Sequence, residues 1–301
     1  MKTGTIYART MKFVWLRLAL GMAVTVASII IFAITVGVSN LMGAEPVNVA
    51  GLTIWFILSA IIYGLVMNYV GYMLKAAHVA VVAKAVTTGQ IPDNMVEEGK
   101  AMVTKRFGAT NAYLVLDRLV SGAVRELQKT VGKVGNIFGG VPGMEKVVEF
   151  LQTFIGIALG YIDECCLGYT FYKEGEGAFK AGCDGVVIYF QNIKKLLKSA
   201  LLTTVLVMVL SFLAWFLPFL LLVAICNALE WGWIGAAFLS IIVSMALKYA
   251  FIDSFIMIRT MNAYMEVAPG TAITFDLYDK LCKLSSKFRS LFDKAKGEMV
   301  A

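Results

Sequence analysis

The hydrophobic pattern is dominated by stretches that contain no charge at all. Leu18 to Ala44 and Val47 to Leu74 are two such runs, and Ser199 to Leu229 and Trp231 to Leu247 are two more. Each predicts one bilayer-crossing helix, because about 20 apolar residues rising roughly 1.5 Å each span the hydrocarbon core. The runs pair into two hairpins. Between and after them the pattern changes to the helical stripe of a half-buried surface. Leu116, Val120, Ala123, Leu127, Val131 and Val134 recur at helical spacing, with Arg118, Arg125 and Lys129 on other faces. Leu277, Leu281, Leu284, Phe288 and Leu291 form a second stripe among Lys280, Lys283, Lys287 and Arg289. Both read as amphipathic helices lying at a membrane surface or against the bundle.

These elements predict an all-α protein, a polytopic transmembrane bundle with amphipathic helices outside the bilayer. The organisation follows as an N-terminal hairpin over 1–74, an amphipathic segment over 75–149, a third region over 150–193, a second hairpin over 194–258 and an amphipathic tail over 259–301. The third region contains Phe150 to Ile162, a charge-free stretch only about 20 Å long as a helix. That is short of the roughly 30 Å core, so a pair of broken or re-entrant helices is expected there. Glycines at 132, 135, 139, 140 and 143, with Pro142, mark a breaker before it.

Composition agrees with this class: 59% of the 301 residues are hydrophobic and 16% charged, against about 25% charged in ordinary soluble domains. The net charge of +7 sits beside the apolar runs. Such placement suits anionic lipid head groups rather than nucleic acid. The loops inside both hairpins, Gly43 to Asn48 and Asn227 to Glu230, carry no basic residue, whereas Lys2, Arg9, Lys12 and Arg17 precede the first. The basic side is expected to be cytoplasmic, which places both termini there in a cell membrane.

Catalytic equipment is sparse. His78 is the single histidine, the five cysteines show no CxxC spacing, and the glycine-rich run lacks a GK[ST] ending. No enzyme, cofactor or metal site is expected, and His78 reads as an interfacial polar residue. The most informative polar pair is Asp163-Glu164. In a helix, Glu164 shares a face with Tyr161, Gly168 and Phe171. A carboxylate set among aromatic rings is the chemistry an organic cation needs. Tyr161, Asp163, Glu164 and Phe171 are therefore the candidate substrate site, with Lys248 and Asp253 a candidate gate near the end of the last span. The competing reading is that the acids simply face water at a helix end.

Three short motifs resemble the C-terminal half of the choline transporter-like family. They are the helix at Met144 to Thr153 leading into a Tyr-containing segment, the run Ala181-Gly182-Cys183-Asp184-Gly185 followed by apolar residues and Gln191-Asn192, and Phe251-Ile252-Asp253-Ser254 before Phe255-Ile256. The likeness covers roughly residues 80 to 290. The chain is shorter than the family, lacks its long cysteine-bearing loop, and has Gln191 where arginine is usual. The resemblance implies cytosolic termini and movement of choline or a related amine. A transporter of a small organic cation is thus the leading expectation. A non-transporting membrane scaffold or assembly protein, and an ion channel built from a homo-oligomer, are the alternatives.

Overall fold

The computed structural model describes residues 1–43, 48–108, 110–135, 161–230 and 232–300. All regular structure among them is helical. In chain order the helices are α1 Thr3–Arg9, α2 Met11–Leu41, α3 Val49–Val66, α4 Tyr72–Thr88, α5 Met95–Phe107, α6 Thr110–Gly135, α7 Ile162–Tyr172, α8 Ala178–Gln191, α9 Ile193–Ala228, α10 Gly232–Leu247, α11 Asp253–Met265, α12 Phe275–Leu284 and α13 Ser286–Val300. Two single-turn π-helices, Met67–Gly71 and Lys248–Ile252, join α3 to α4 and α10 to α11. The expected features at Glu45, at glycines 139, 140 and 143, at Met144 to Thr153, at 150–160 and at Trp231 lie outside the described residues.

Four helical stretches are long and apolar enough to cross a membrane: Met11–Leu41, Val49–Thr88, Thr203–Ala228 and Gly232–Gly270. Each overlaps one of the four expected spans. The second and fourth run well beyond the apolar stretches, to Thr88 and Gly270. Lys75 follows Leu74 without a glycine or proline to stop the helix, so the charge ends the apolar stretch but not the backbone hydrogen bonding. α7 and α8, of 11 and 14 residues, fall below spanning length.

The chain forms two compact units. The first, called here the membrane unit, comprises Met11–Lys75 and Val207–Ser254 and contains the apolar bodies of all four spans. α2 lies at its centre, with α3 and α10 both packed against it. Contact is close because small residues face one another. A Cβ at Gly21 would come within 2.8 Å of the Ala246 Cβ. Phe32, Val36, Trp55, Cys226, Ala236 and Leu239 form a buried cluster near the loop ends of the hairpins. The Trp55 indole donates to the Ser28 carbonyl and hydroxyl, both at 3.0 Å, and the Ser28 and Ser59 hydroxyls pair at 2.7 Å. Such pairing matters in lipid, where no water is present to satisfy a polar group.

Between α3 and α10, over the small residues of α2, runs a half-enclosed crevice of about 310 Å³. Its walls are Trp55, Phe56, Ser59, Ala60, Tyr63 and Met67 on one side and Phe238, Ile241, Ile242, Met245 and Ala246 on the other. α9 contributes little to this packing: only 6% of its spanning window is buried.

The second, the helical unit, comprises Met1–Thr10, Ala76–Leu206 and Phe255–Ala301. α7 and α8 form a hairpin at its core, packed against α6 and α13. The α6 stripe is as expected: Leu116, Val120, Ala123 and Leu127 are buried. The C-terminal stripe is buried at Leu281, Phe288 and Leu291 but interrupted. Ser285 ends α12 and starts α13, leaving Leu284 half exposed. The break is held by Glu126 of α6, whose carboxylate accepts from the Ser285 and Ser286 hydroxyls at 2.7 and 3.0 Å and from the Lys287 N–H at 3.1 Å.

A second carboxylate does the same for α8. Glu298 accepts from the N–H groups of Phe179 and Lys180 at 2.9 and 3.2 Å. Gly177 leaves room for it, since a Cβ there would stand 2.3 Å from the carboxylate oxygen. Side-chain acceptors at a helix N-terminus are worth about 0.5–2 kcal/mol. Glu298→Ala is expected to lower the stability of the helical unit by about 1 kcal/mol. Gly177→Ala is expected to do the same by displacing Glu298, and the two losses should not add. Urea unfolding of the single and double variants measures this.

Candidate functional site

The acidic doublet occupies the first turn of α7, where negative charge faces the positive end of the helix dipole. Asp163 is half-buried and accepts a hydrogen bond from the Ser121 hydroxyl of α6 at 2.7 Å. Glu164 is 9% exposed, so it points into protein rather than water. Tyr161 is the residue before the helix and is half-buried. Phe171 lies seven residues after Glu164, about 10 Å along the helix. Its ring is engaged by Phe107 and Tyr113, with centroids at 5.6 and 6.4 Å. Three of the four expected residues thus lie on α7, with Tyr161 just ahead of it, and Phe171 belongs to a separate aromatic cluster. Lys248 opens the second π-helix, Asp253 follows it, and the two pair with each other.

A stronger concentration of chemistry lies on α8, around Asp184. Lys180 and Asp184 are one turn apart on α8, and Glu176 lies in the turn just before it, four residues ahead of Lys180. The Lys180 ammonium sits between the two carboxylates, 2.8 Å from each. The other Asp184 oxygen accepts a short hydrogen bond from the Tyr278 hydroxyl of α12. Asp184 itself is 4% exposed. It reaches this depth because the neighbouring residues are small. Gly185 lies against the Cys166 backbone, where a Cβ would approach to 3.1 Å, and Gly182 lies under Leu116. The Tyr264 hydroxyl donates to the Gly185 carbonyl at 3.0 Å.

Beside this network is a polar recess of about 200 Å³. It is lined by Tyr169, Tyr172 and Lys173 of the α7 end, by Glu176, Lys180 and Asp184, and by Ala268, Pro269, Thr271 and Ile273. Its far wall is tied to α8 by Asn192, which donates to the Thr271 hydroxyl at 2.9 Å, and by Gln191, which donates to the Ala272 carbonyl at 2.9 Å. Lys173 stands 3.4 Å from Glu176, with its ammonium 5.9 Å from the Tyr172 ring centroid. On the other side of Tyr172, Arg106 closes the end of α7 by donating to the carbonyls of Thr170, Lys173 and Glu174.

Charge states follow from these contacts. Hydrogen bonding from Lys180, with the nearby Lys173 charge, holds the Glu176 carboxyl below its usual range despite partial burial. Burial works against the Lys180 ammonium, but its bonds to Asp184 and Glu176 prevail and push its pKa up. Burial, reinforced by the charges of Asp184 and Glu176, lifts the Tyr169 phenol to about 12. Burial and the bond to Asp184 also lift Tyr278. The folded chain therefore keeps protons that the unfolded chain releases above its ordinary phenol value near 10. The stability these phenols contribute is expected to be fully present up to about pH 10 and to fall as the pH rises from about 10 through 12. Tyr169→Phe should shrink that loss, as read from thermal unfolding across the alkaline range.

Asp184 falls within one of the three short motifs but outside the expected substrate site. The available signal was the Glu176, Lys180, Asp184 spacing together with the small residues flanking the acid. His78 is buried, with its Nε2 3.3 Å from the Thr10 hydroxyl. The five cysteines are unpaired by disulfides, and four are buried. Among the described residues no group of His, Cys, Asp and Glu is arranged to hold a metal. Compared with protein-family models, curated proteins and solved structures, the chain finds no match. The likeness to the choline transporter-like family accordingly rests on its three short motifs.

Proposed function

We propose that the chain is a membrane facilitator of a small organic cation, binding it in the recess formed by the end of α7, α8 and residues 268–273. One observation carries this reading: the recess already holds alkylammonium groups of the protein itself. Lys180 lies between two carboxylates and Lys173 lies over a tyrosine ring beside Glu176. A guest amine would take the Lys173 place, against the Tyr172 face and the Glu176 carboxylate. Displacing Lys173 costs little, because an exposed ion pair contributes about 0–1 kcal/mol and an exposed cation–π contact about 0.5–1 kcal/mol. Glu164, buried two turns back along α7, is a second acid for the same cargo.

The test uses the full chain in proteoliposomes, with choline binding by titration and choline uptake as the two readouts. Lys173→Ala is expected to tighten binding roughly fivefold, the equivalent of about 1 kcal/mol of removed competition. Tyr172→Ala and Glu176→Gln are expected to weaken it. Unchanged affinity in all three variants would refute the site. Specific binding without uptake would favour the second reading, a non-transporting membrane scaffold. That reading draws on the membrane unit, whose crevice is walled by apolar, aromatic and hydroxyl side chains.

A further inference from the structure

We propose that the membrane unit holds one ester-linked acyl chain of a glycerolipid in the crevice between α3 and α10, with the ester carbonyl accepting a hydrogen bond from Tyr63. The crevice is open to hydrocarbon. Phe56, Ala60, Ile241 and Met245 line it and are themselves exposed, on helices apolar enough to stand in lipid. Its proportions suit a single chain. From Trp55 to Met67 the α3 wall runs about 18 Å, close to half of the roughly 30 Å hydrocarbon core. About 310 Å³ spread over that length leaves a section of about 17 Å². That admits one extended chain and not a fused ring system. One end is shut by the edge-to-face contact of Trp55 and Phe238, at 5.8 Å between centroids.

One unmatched hydroxyl selects the ester. The other hydroxyl and indole groups lining the crevice are satisfied within the protein: Ser28 and Ser59 bond each other, the Trp55 indole donates to Ser28, and Thr25 donates to the Gly21 carbonyl at 2.9 Å. Among the described residues the Tyr63 hydroxyl has no hydrogen-bond partner. Tyr63 is half-buried in a spanning helix, where no water is at hand to replace one. Such a group costs free energy until an acceptor arrives. Its hydroxyl is within electrostatic reach of Tyr249 in the second π-helix, so it points toward the end of the crevice opposite Trp55. A chain entering from that end presents its carbonyl to Tyr63. Its middle carbons then reach Trp55, about 12 Å further along α3. The described lining carries no charged side chain, so the chain is bound and the head group is not read.

Trp55 provides the probe. In the full chain with the other four tryptophans replaced by phenylalanine, its fluorescence is measured in vesicles of ether-linked phosphatidylcholine containing a minor fraction of lipid brominated at mid-chain. Brominated ester-linked phosphatidylcholine is expected to quench at about one-fifth of the fraction that its brominated ether-linked counterpart requires, taking one hydrogen bond as the difference. Tyr63→Phe, which removes the hydroxyl and keeps the ring, should abolish that preference and leave quenching by the ether-linked lipid unchanged. Ala60→Phe, at an exposed position, should fill the crevice and reduce quenching by both lipids alike. Brominated phosphatidylglycerol should match phosphatidylcholine bearing the same ester-linked chains. Equal quenching by ester- and ether-linked lipid, a preference that survives Tyr63→Phe, or quenching that depends on the head group would overturn the proposal. So would quenching lost as the protein-to-lipid ratio is raised, the mark of a second copy seated in the crevice.

Discussion

Replacing Asp184 with alanine is expected to destabilise the helical unit by about 3 kcal/mol. Removing one partner from a buried ion pair costs about 3–5 kcal/mol, because the other charge loses its compensation. The ion-pair share is reduced to about 1 kcal/mol, since Lys180 is partly exposed and retains Glu176. A second loss comes from Tyr278, whose buried hydroxyl is deprived of its acceptor, at about 1–3 kcal/mol for an unsatisfied group. Tyr278→Phe removes donor and demand together and should cost only about 1 kcal/mol. Asp184→Ala combined with Tyr278→Phe should therefore be more stable than the sum of the single losses implies. Urea midpoints of the purified protein measure all three. A midpoint for Asp184→Ala within error of the native chain would contradict the account.

Gly21→Val is expected to have a comparable effect in the membrane unit. Within lipid, helices do not gain hydrophobic free energy by associating, so close backbone approach carries much of the packing. At Gly21 the first atom of any side chain would already lie 2.8 Å from the Ala246 Cβ and 3.0 Å from its Cα. The obstacle includes backbone, which cannot rotate aside. Overpacking of this kind costs about 1–3 kcal/mol, and valine adds two methyls beyond that first atom. The Gly21→Ala variant should recover part of its loss when combined with Ala246→Gly, which removes the nearer contact. Thermal unfolding in detergent follows these changes, and a native midpoint for Gly21→Val would disprove the tight crossing.

Much of the helical framework was legible because it depends on local periodicity. The charge-free runs located the spans, and the Leu116 to Leu127 stripe located the buried face of α6. The C-terminal stripe was also visible, but its division at Ser285 was not. That break depends on Glu126, a residue 159 positions earlier. The continuation of the second span through Lys75 was missed for a related reason. A charged residue signals the end of apolar burial, whereas a helix ends only where its hydrogen bonding fails, and Ala76 to Ala83 are buried in the helical unit.

The candidate site shows the same limit. Asp163-Glu164 stood out because acids are rare beside apolar sequence. Asp184 did not, since its significance comes from Tyr278, 94 residues away in sequence. The lysines of the recess were equally hard to read. Lys173 and Lys180 resemble ordinary surface charge until the carboxylates and the Tyr172 ring are placed around them.

The order in which the parts of the helical unit leave the ribosome has a further consequence. α8 emerges early, but the carboxylate that caps it belongs to Glu298, 119 residues later than Phe179. Both members of the second hairpin must be synthesised in between. The first turn of α8 therefore waits without its acceptor while the intervening spans enter the bilayer. A ribosome stalled before α13 should display that turn to proteases or to a chaperone, and completion of the C-terminal helix should be the event that conceals it.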